Sequence, residues 1–232
     1  MFEPLSPSEW EAIRLSLRIA AVAMVASLPF GIALAYLLAR GRFPGRTLVD
    51  GIIHLPLVMP PVVTGYLLLL LFGRRGPIGS FLDSTFGIVF AFRWTGTVLA
   101  CVVMGLPLMV RAIRLSIDGI DRKLEAAAST LGASRLVVFT TITLPLMLPG
   151  IIAGLVLSFA RSLGEFGATI TFVGNIPGET QTIPTAIYTY IQVPGGTTGA
   201  LRLTAISIAI SLAALIISDV MARRVTRRML GQ

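Results

Sequence analysis

Five apolar stretches, at about 14–39, 48–72, 94–114, 146–173 and 201–222, decide what this chain can fold into. Crossing about 30 Å of hydrocarbon takes roughly 20 helical residues, and each stretch reaches that length. No soluble domain fits in the segments between them. The chain is therefore expected to be an all-α membrane protein, a polytopic helical bundle forming one domain over residues 1–232. Its spans are the five stretches above, and a charged segment at 118–145 stands outside the bilayer.

Composition agrees. The 232 residues are 55% hydrophobic and 13% charged, against about 25% charged in soluble domains. A formal charge of +8 raises the question of nucleic acid, but the nineteen basic residues include one lysine, Lys123, and form short clusters between apolar runs. That pattern orients helices in lipid and is not a nucleic-acid footprint. A single cysteine, Cys101, excludes an intramolecular disulfide and any multi-cysteine metal site, and its apolar surroundings point to packing. The first run is too long for a signal-peptide core, has no small-residue cleavage pattern after it, and follows Glu3, Glu9 and Glu11. It is expected to be retained.

Orientation follows from the arginines. Arg40, Arg42 and Arg46 follow the first run; Arg111, Arg114, Arg122, Lys123 and Arg135 follow the third; Arg223, Arg224, Arg227 and Arg228 end the chain. The opposite side receives the acidic amino end, the 73–93 loop with Arg74, Arg75 and Arg93, and the 174–200 loop with no basic residue. The positive-inside rule then places the amino end outside and the carboxyl end, with segment 118–145, in the cytoplasm.

Prolines interrupt the runs. Pro29, the Pro56/Pro60/Pro61 group, Pro107 and Pro149 each remove a helical hydrogen bond, and the freed carbonyls are tolerable only where protein or a water-lined cavity satisfies them. The helices must pack together. Simple kinks in a bundle and hinges lining a path both fit.

Ionisable chemistry within the membrane concentrates in the fourth run, where Arg161 and Glu165 stand at i and i+4. Charges at this depth need a partner or water. Two readings stay open: a structural ion pair, or a substrate pathway in which Arg161, Ser162, Thr169 and Thr171 offer donors to an anion beside Glu165. Gly164 and Gly167 allow close helix approach or local unwinding under either. Catalysis has little support. One histidine, His54, allows no paired-histidine zinc site, and no glycine-rich loop precedes the lysine to hold ATP phosphates. No metal or cofactor is expected on this chain. A Ser–His dyad of His54 with Ser162 or Ser134 can be written, but no spacing favours it; Asp50 and Asp219 suit local pairing with arginines.

In the cytoplasmic segment, Asp121 can cap a helix over Arg122–Leu131, and Gly132 stands where a left-handed C-terminal turn wants glycine. At about 15 Å this helix is too short and too charged to span. Its run Ala126–Ala128 has little side-chain bulk, while Leu124 and Leu131 offer apolar anchors. Docking into a partner's groove and lying amphipathically on the membrane both fit.

This segment resembles the cytoplasmic signature of the transmembrane subunits of binding-protein-dependent ABC importers: E-A-A, three residues, G, nine residues, I-x-L-P. Ala127-Ala128, Gly132, Ile142 and Leu144-Pro145 match the spacing, and Glu125 stands one place before the family's glutamate. Similarity extends over nearly the whole chain, and is greatest to the molybdate permeases in HLPLVMPPVV (54–63), GLPLMVRAIRL (105–115), TITLPLMLPGIIAG (141–154) and FARSLGEFGATITFVGNIPGETQTIP (159–184). Tungstate and sulfate permeases are the neighbouring oxyanion branch.

The resemblance implies the type I ABC importer permease fold in the cell inner membrane, without enzymatic activity of its own. It implies a homodimer, two cytoplasmic ABC ATPase subunits that use ATP and Mg, a periplasmic molybdate-binding protein, and alternating access as the mechanism. Glu125, Ala127, Ala128, Leu131, Gly132, Ile142, Leu144 and Pro145 would form the ATPase-coupling segment, and Ile183–Gln192 a short periplasmic helix at the outer mouth. Tungstate or sulfate is the alternative substrate. A secondary anion transporter, which would carry an inverted repeat not seen here, and an intramembrane hydrolase are the alternatives of other classes.

Overall fold

The computed structural model describes residues 4–229; the side chains of 218, 219 and 221–229 lie outside that description, so the expectations for Asp219 and the four terminal arginines fall outside the described residues. Among the described residues four helices are long and apolar enough to cross a membrane, and a bent pair makes a fifth crossing if it counts as one span. This is a multi-pass helical bundle.

Helix α1 (Pro7–Arg40) begins well before the expected residue 14, because its start is written in a capping box. Ser6 Oγ accepts from the Glu9 amide, the Glu9 carboxylate accepts from the Ser6 amide, and Pro7 supplies a preset first turn. Glu9 is fully buried and bidentately paired with Arg202, whose Nε and Nη2 each lie 3.1 Å from a carboxylate oxygen. That pair ties the first helix to the last.

The second run is not one straight span. It folds as α2 (Arg46–Val58) and α3 (Pro61–Phe72), bent by 114°. Pro61 has no amide to continue α2, and its ring drives Pro60 into extended backbone at φ −55°, ψ 132°. The following 73–93 loop contains a short helix, α4 (Pro77–Phe86), again started by proline.

Helix α5 (Trp94–Asp118) is the central post, packed on α1 and on α8 (Leu144–Leu163). Leu38, Met109, Ile113, Ile117 and Met147 are fully buried where these three meet. The fourth run is longer than expected on one side and broken on the other. It begins as α7 (Arg135–Val138), passes through a π-helical turn (Phe139–Thr143) into α8, stops at Leu163, and resumes as α9 (Gly167–Val173). Between α5 and α7 lies α6 (Arg122–Thr130); after α9 come α10 (Ile183–Ile191) and α11 (Thr197–Met229). Cys101 is buried, with its thiol 3.7 Å from the Ser162 carbonyl.

Outward faces are apolar. Helix α2 buries no residue, and Val62, Tyr66 and Leu70 on α3 and Ile208, Leu212 and Leu215 on α11 are exposed. A water-soluble protein rarely leaves such contiguous patches uncovered. Lipid or another membrane chain covers them without penalty.

Candidate coupling surface and membrane break

Helix α6 lies at the edge of the bundle and buries none of its residues. Asp121 caps it by accepting from the Lys123 amide at 2.9 Å, as its sequence position suggests. The helix ends one residue before the expected Leu131, and Gly132 turns the chain at φ +87°, where a Cβ would be strained. Ser134 then caps α7, accepting from Val137 N. The result is a helix–turn–helix foot whose apolar residues face outward: Leu131 is 88% exposed and Leu136 72%, with Leu124 also exposed. Ala127 is exposed and Ala128 half-buried, so a partner can reach the backbone between the leucines.

Glu125 turns toward the bundle. Its Oε2 lies 3.2 Å from Arg40 Nε at the end of α1, and Thr143 Oγ1 donates to its Oε1 at 2.8 Å. Both side chains of the ion pair are mostly buried. Thus Glu125 joins the foot to α1 and to the π-helical turn that leads into α8. A π turn holds an extra residue under local strain and recurs at functional places in helices. Ile142 lies within this turn, and Leu144 and Pro145 form the first residues of α8, all half-buried. The residues named from the sequence for coupling therefore occupy one continuous path, from the exposed foot to the base of α8. Arg40 and Thr143 are additions that sequence reasoning missed; Arg40 was counted only as a topological charge.

The second polar region is the gap between α8 and α9. Arg161 Nη1 pairs with Glu165 Oε2, one turn on, and Glu165 is only 1% exposed. Its other oxygen accepts from the Ala168 amide at 2.8 Å, satisfying an orphan donor in the first turn of α9. The break at Gly164 is therefore stabilised from inside. Ser162, Thr169 and Thr171 spend their hydroxyl protons on the carbonyls of Ser158, Phe166 and Gly167, which leaves their oxygens as acceptors. Among these side chains, Arg161 keeps both positive charge and partial exposure.

Helix α3 crosses this break at backbone contact distance. A Cβ on Gly65 would collide with the Ala168 carbonyl, and one on Gly167 would stand 2.8 Å from Pro61 Cβ. The two broken spans thus touch at their breaks. Thr64, buried there in α3, is a polar residue that the sequence reading did not single out.

His54 does not meet a serine. Its Nδ1 lies 2.9 Å from the Asp50 carbonyl and 3.2 Å from Asp50 Oδ1, while Arg114 Nη1 lies 3.0 Å from both Asp50 carboxylate oxygens. Asp50 is the arginine partner that its position suggested. Ser162 is committed to the Ser158 carbonyl and Ser134 to the α7 cap, so the Ser–His dyad is not formed.

Residues 27–229 match the family described as binding-protein-dependent transport system inner membrane component. The chain is 64% identical over 219 residues, 94% of its length and 96% of the relative's, to the molybdenum transport system permease protein ModB of Escherichia coli (strain K12). It is 58% identical to the Haemophilus influenzae protein of the same name, over 97% of each chain. In fold it resembles a chain of the bacterial alginate ABC transporter crystallised with its pentasaccharide-bound periplasmic protein, with TM-score 0.76 and 21% identity over 96% of this chain and 81% of that one. With the family match covering most of its length, the chain belongs to the inner membrane components of binding-protein-dependent transport systems, as a transport subunit and not an enzyme.

Proposed function

We propose that this chain is the membrane subunit of an ATP-driven importer of molybdate, working as a homodimer with two cytoplasmic ATPase subunits and a periplasmic molybdate-binding protein. The amino end faces the periplasm and the carboxyl end the cytoplasm, by the arginine distribution. ATP and Mg are bound and used by the partner ATPase. The substrate reading rests on the 64% identity to the molybdenum permease of Escherichia coli. The observation that carries the mechanism is the α6 foot: exposed leucines on its outside and, on its inside, Glu125 tied to two long helices.

In this account the ATPase pair closes and pulls α6. Glu125 passes the displacement to α1 through Arg40 and to α8 through Thr143, and the spans broken at Pro60 and Gly164 change the access of the path. Arg161 offers positive charge to a doubly charged oxyanion while Glu165 keeps that charge from holding the anion too tightly. With the Ser162, Thr169 and Thr171 hydroxyl protons committed to backbone carbonyls, the path offers few positive groups, which suits passage better than a tight site that would slow release.

Uptake of radiolabelled molybdate into proteoliposomes holding the chain, its ATPase and its binding protein tests the proposal. Uptake should need ATP and all three components and be competed more strongly by molybdate than by sulfate. Uptake without the ATPase would instead make the chain a secondary transporter, and stronger competition by sulfate or tungstate would overturn the substrate assignment.

A further inference from the structure

The longest uncharged stretch of α1 runs from Ile19 to Ala39, about 21 residues or ~30 Å of helix, which matches the hydrocarbon thickness. Its amino-terminal boundary is therefore set at Arg18, with Arg14 and Trp10 one and two turns further out on the same helical face. All three are exposed and line one open cavity of about 860 Å³, closed above by Glu11 and Gly178. The Arg18 guanidinium stacks 3.9 Å from the centre of the Trp94 ring, at the start of α5. Neither Arg14 nor Arg18 forms an ion pair among the described residues. Below them the exposed face of α1 continues as Val22 and Val25.

We propose that this cavity binds the headgroup of an anionic phospholipid in the leaflet at the amino end of α1, with Arg14 and Arg18 on the phosphodiester and the acyl chains along Val22 and Val25. The chemistry favours a lipid over a free anion because charge and apolar stripe are continuous. Two guanidinium groups sit at headgroup depth, flanked by indole rings that prefer that level, and the surface immediately below is usable only by a hydrocarbon tail. Glu11, at the outer rim, leaves one net positive charge for an anionic headgroup. A zwitterionic lipid would bring its own cation beside the arginines.

Of the chain's two tryptophans, Trp10 lines this cavity and Trp94 stacks on Arg18, which also lines it, so intrinsic fluorescence reads the site. Full-length chain in neutral detergent is titrated with dibrominated phosphatidylglycerol or with dibrominated phosphatidylcholine of the same acyl chains. Half-quenching by the anionic lipid should need roughly ten-fold less lipid, as two basic side chains near the membrane surface imply. Arg14→Gln/Arg18→Gln should remove the preference, and Arg14→Lys/Arg18→Lys should retain it. Arg14→Gln alone, which leaves the Arg18–Trp94 stack in place, should reduce the preference without disturbing the fold. Equal quenching by the two lipids, or full preference in either glutamine variant, overturns the proposal. Millimolar inorganic phosphate or molybdate should not relieve the quenching; relief would give the site to a free oxyanion and overturn the lipid assignment.

Discussion

Glu125 on α6 and Arg40 on α1 meet at 3.2 Å beneath the bundle, and Thr143 closes the other oxygen of the same carboxylate at 2.8 Å. One side chain therefore connects a peripheral helix to two long ones. Glu125→Gln keeps an acceptor for Thr143 but leaves Arg40 without its anion, a loss of about 1–3 kcal/mol. The outer face of α6 is unchanged. ATPase subunits should still co-purify with this variant, while molybdate taken up per ATP hydrolysed falls. Paired measurement of uptake and hydrolysis checks this, and an unchanged ratio would remove Glu125 from transmission.

Gly132 holds φ +87° and donates its amide to the Ser129 carbonyl. Gly132→Pro forbids that φ and removes the donor, so the turn between α6 and α7 must re-form. Less ATPase should be captured, with insertion in the membrane unaffected. Quantitative co-purification from membranes with equal amounts of the chain measures it; normal capture and normal uptake would show that α6 is not the docking site.

Arg161→Ala strands the buried carboxylate of Glu165, a cost of about 3–5 kcal/mol for a broken buried pair. The amount of folded protein should drop. Arg161→Ala/Glu165→Gln removes both charges and should recover it, yet oxyanion uptake should stay impaired. Normal uptake by the recovered double variant would reduce Arg161 to a structural partner.

Glu9→Gln breaks a bidentate pair with Arg202 on a residue that is fully buried. Thermal inactivation should begin at a lower temperature, with about 3 kcal/mol lost. Scanning the purified variant for its midpoint checks the direction; an unchanged midpoint would mean that the capping box alone secures the start of α1.

The long apolar helices were legible because hydrocarbon thickness imposes a length, and the α6 foot because Asp121 and Gly132 are local start and stop signals. The breaks were harder. Proline at 60 and 61 announces an interruption, but its 114° angle depends on where α3 packs, against Gly167 on a helix that follows much later in the chain. The Glu125 clamp was invisible for a similar reason, since neither spacing nor periodicity joins Arg40 to residue 125. By contrast, the Ser6–Glu9 capping box was present in the sequence, and it would have placed the start of α1 correctly.

In the proposed function, a partner's ATP hydrolysis enters this chain through the outside of α6. Cysteine cross-linking at position 131 measures it most directly, because Leu131 is 88% exposed and the native Cys101 is buried. Leu131→Cys in the assembled complex should form a disulfide or short bifunctional cross-link to the ATPase subunit and change its yield when ATP is added. Leu201→Cys, 65% exposed at the other end of the bundle, should form none. An active complex that cross-links at 201 and never at 131 would contradict the account.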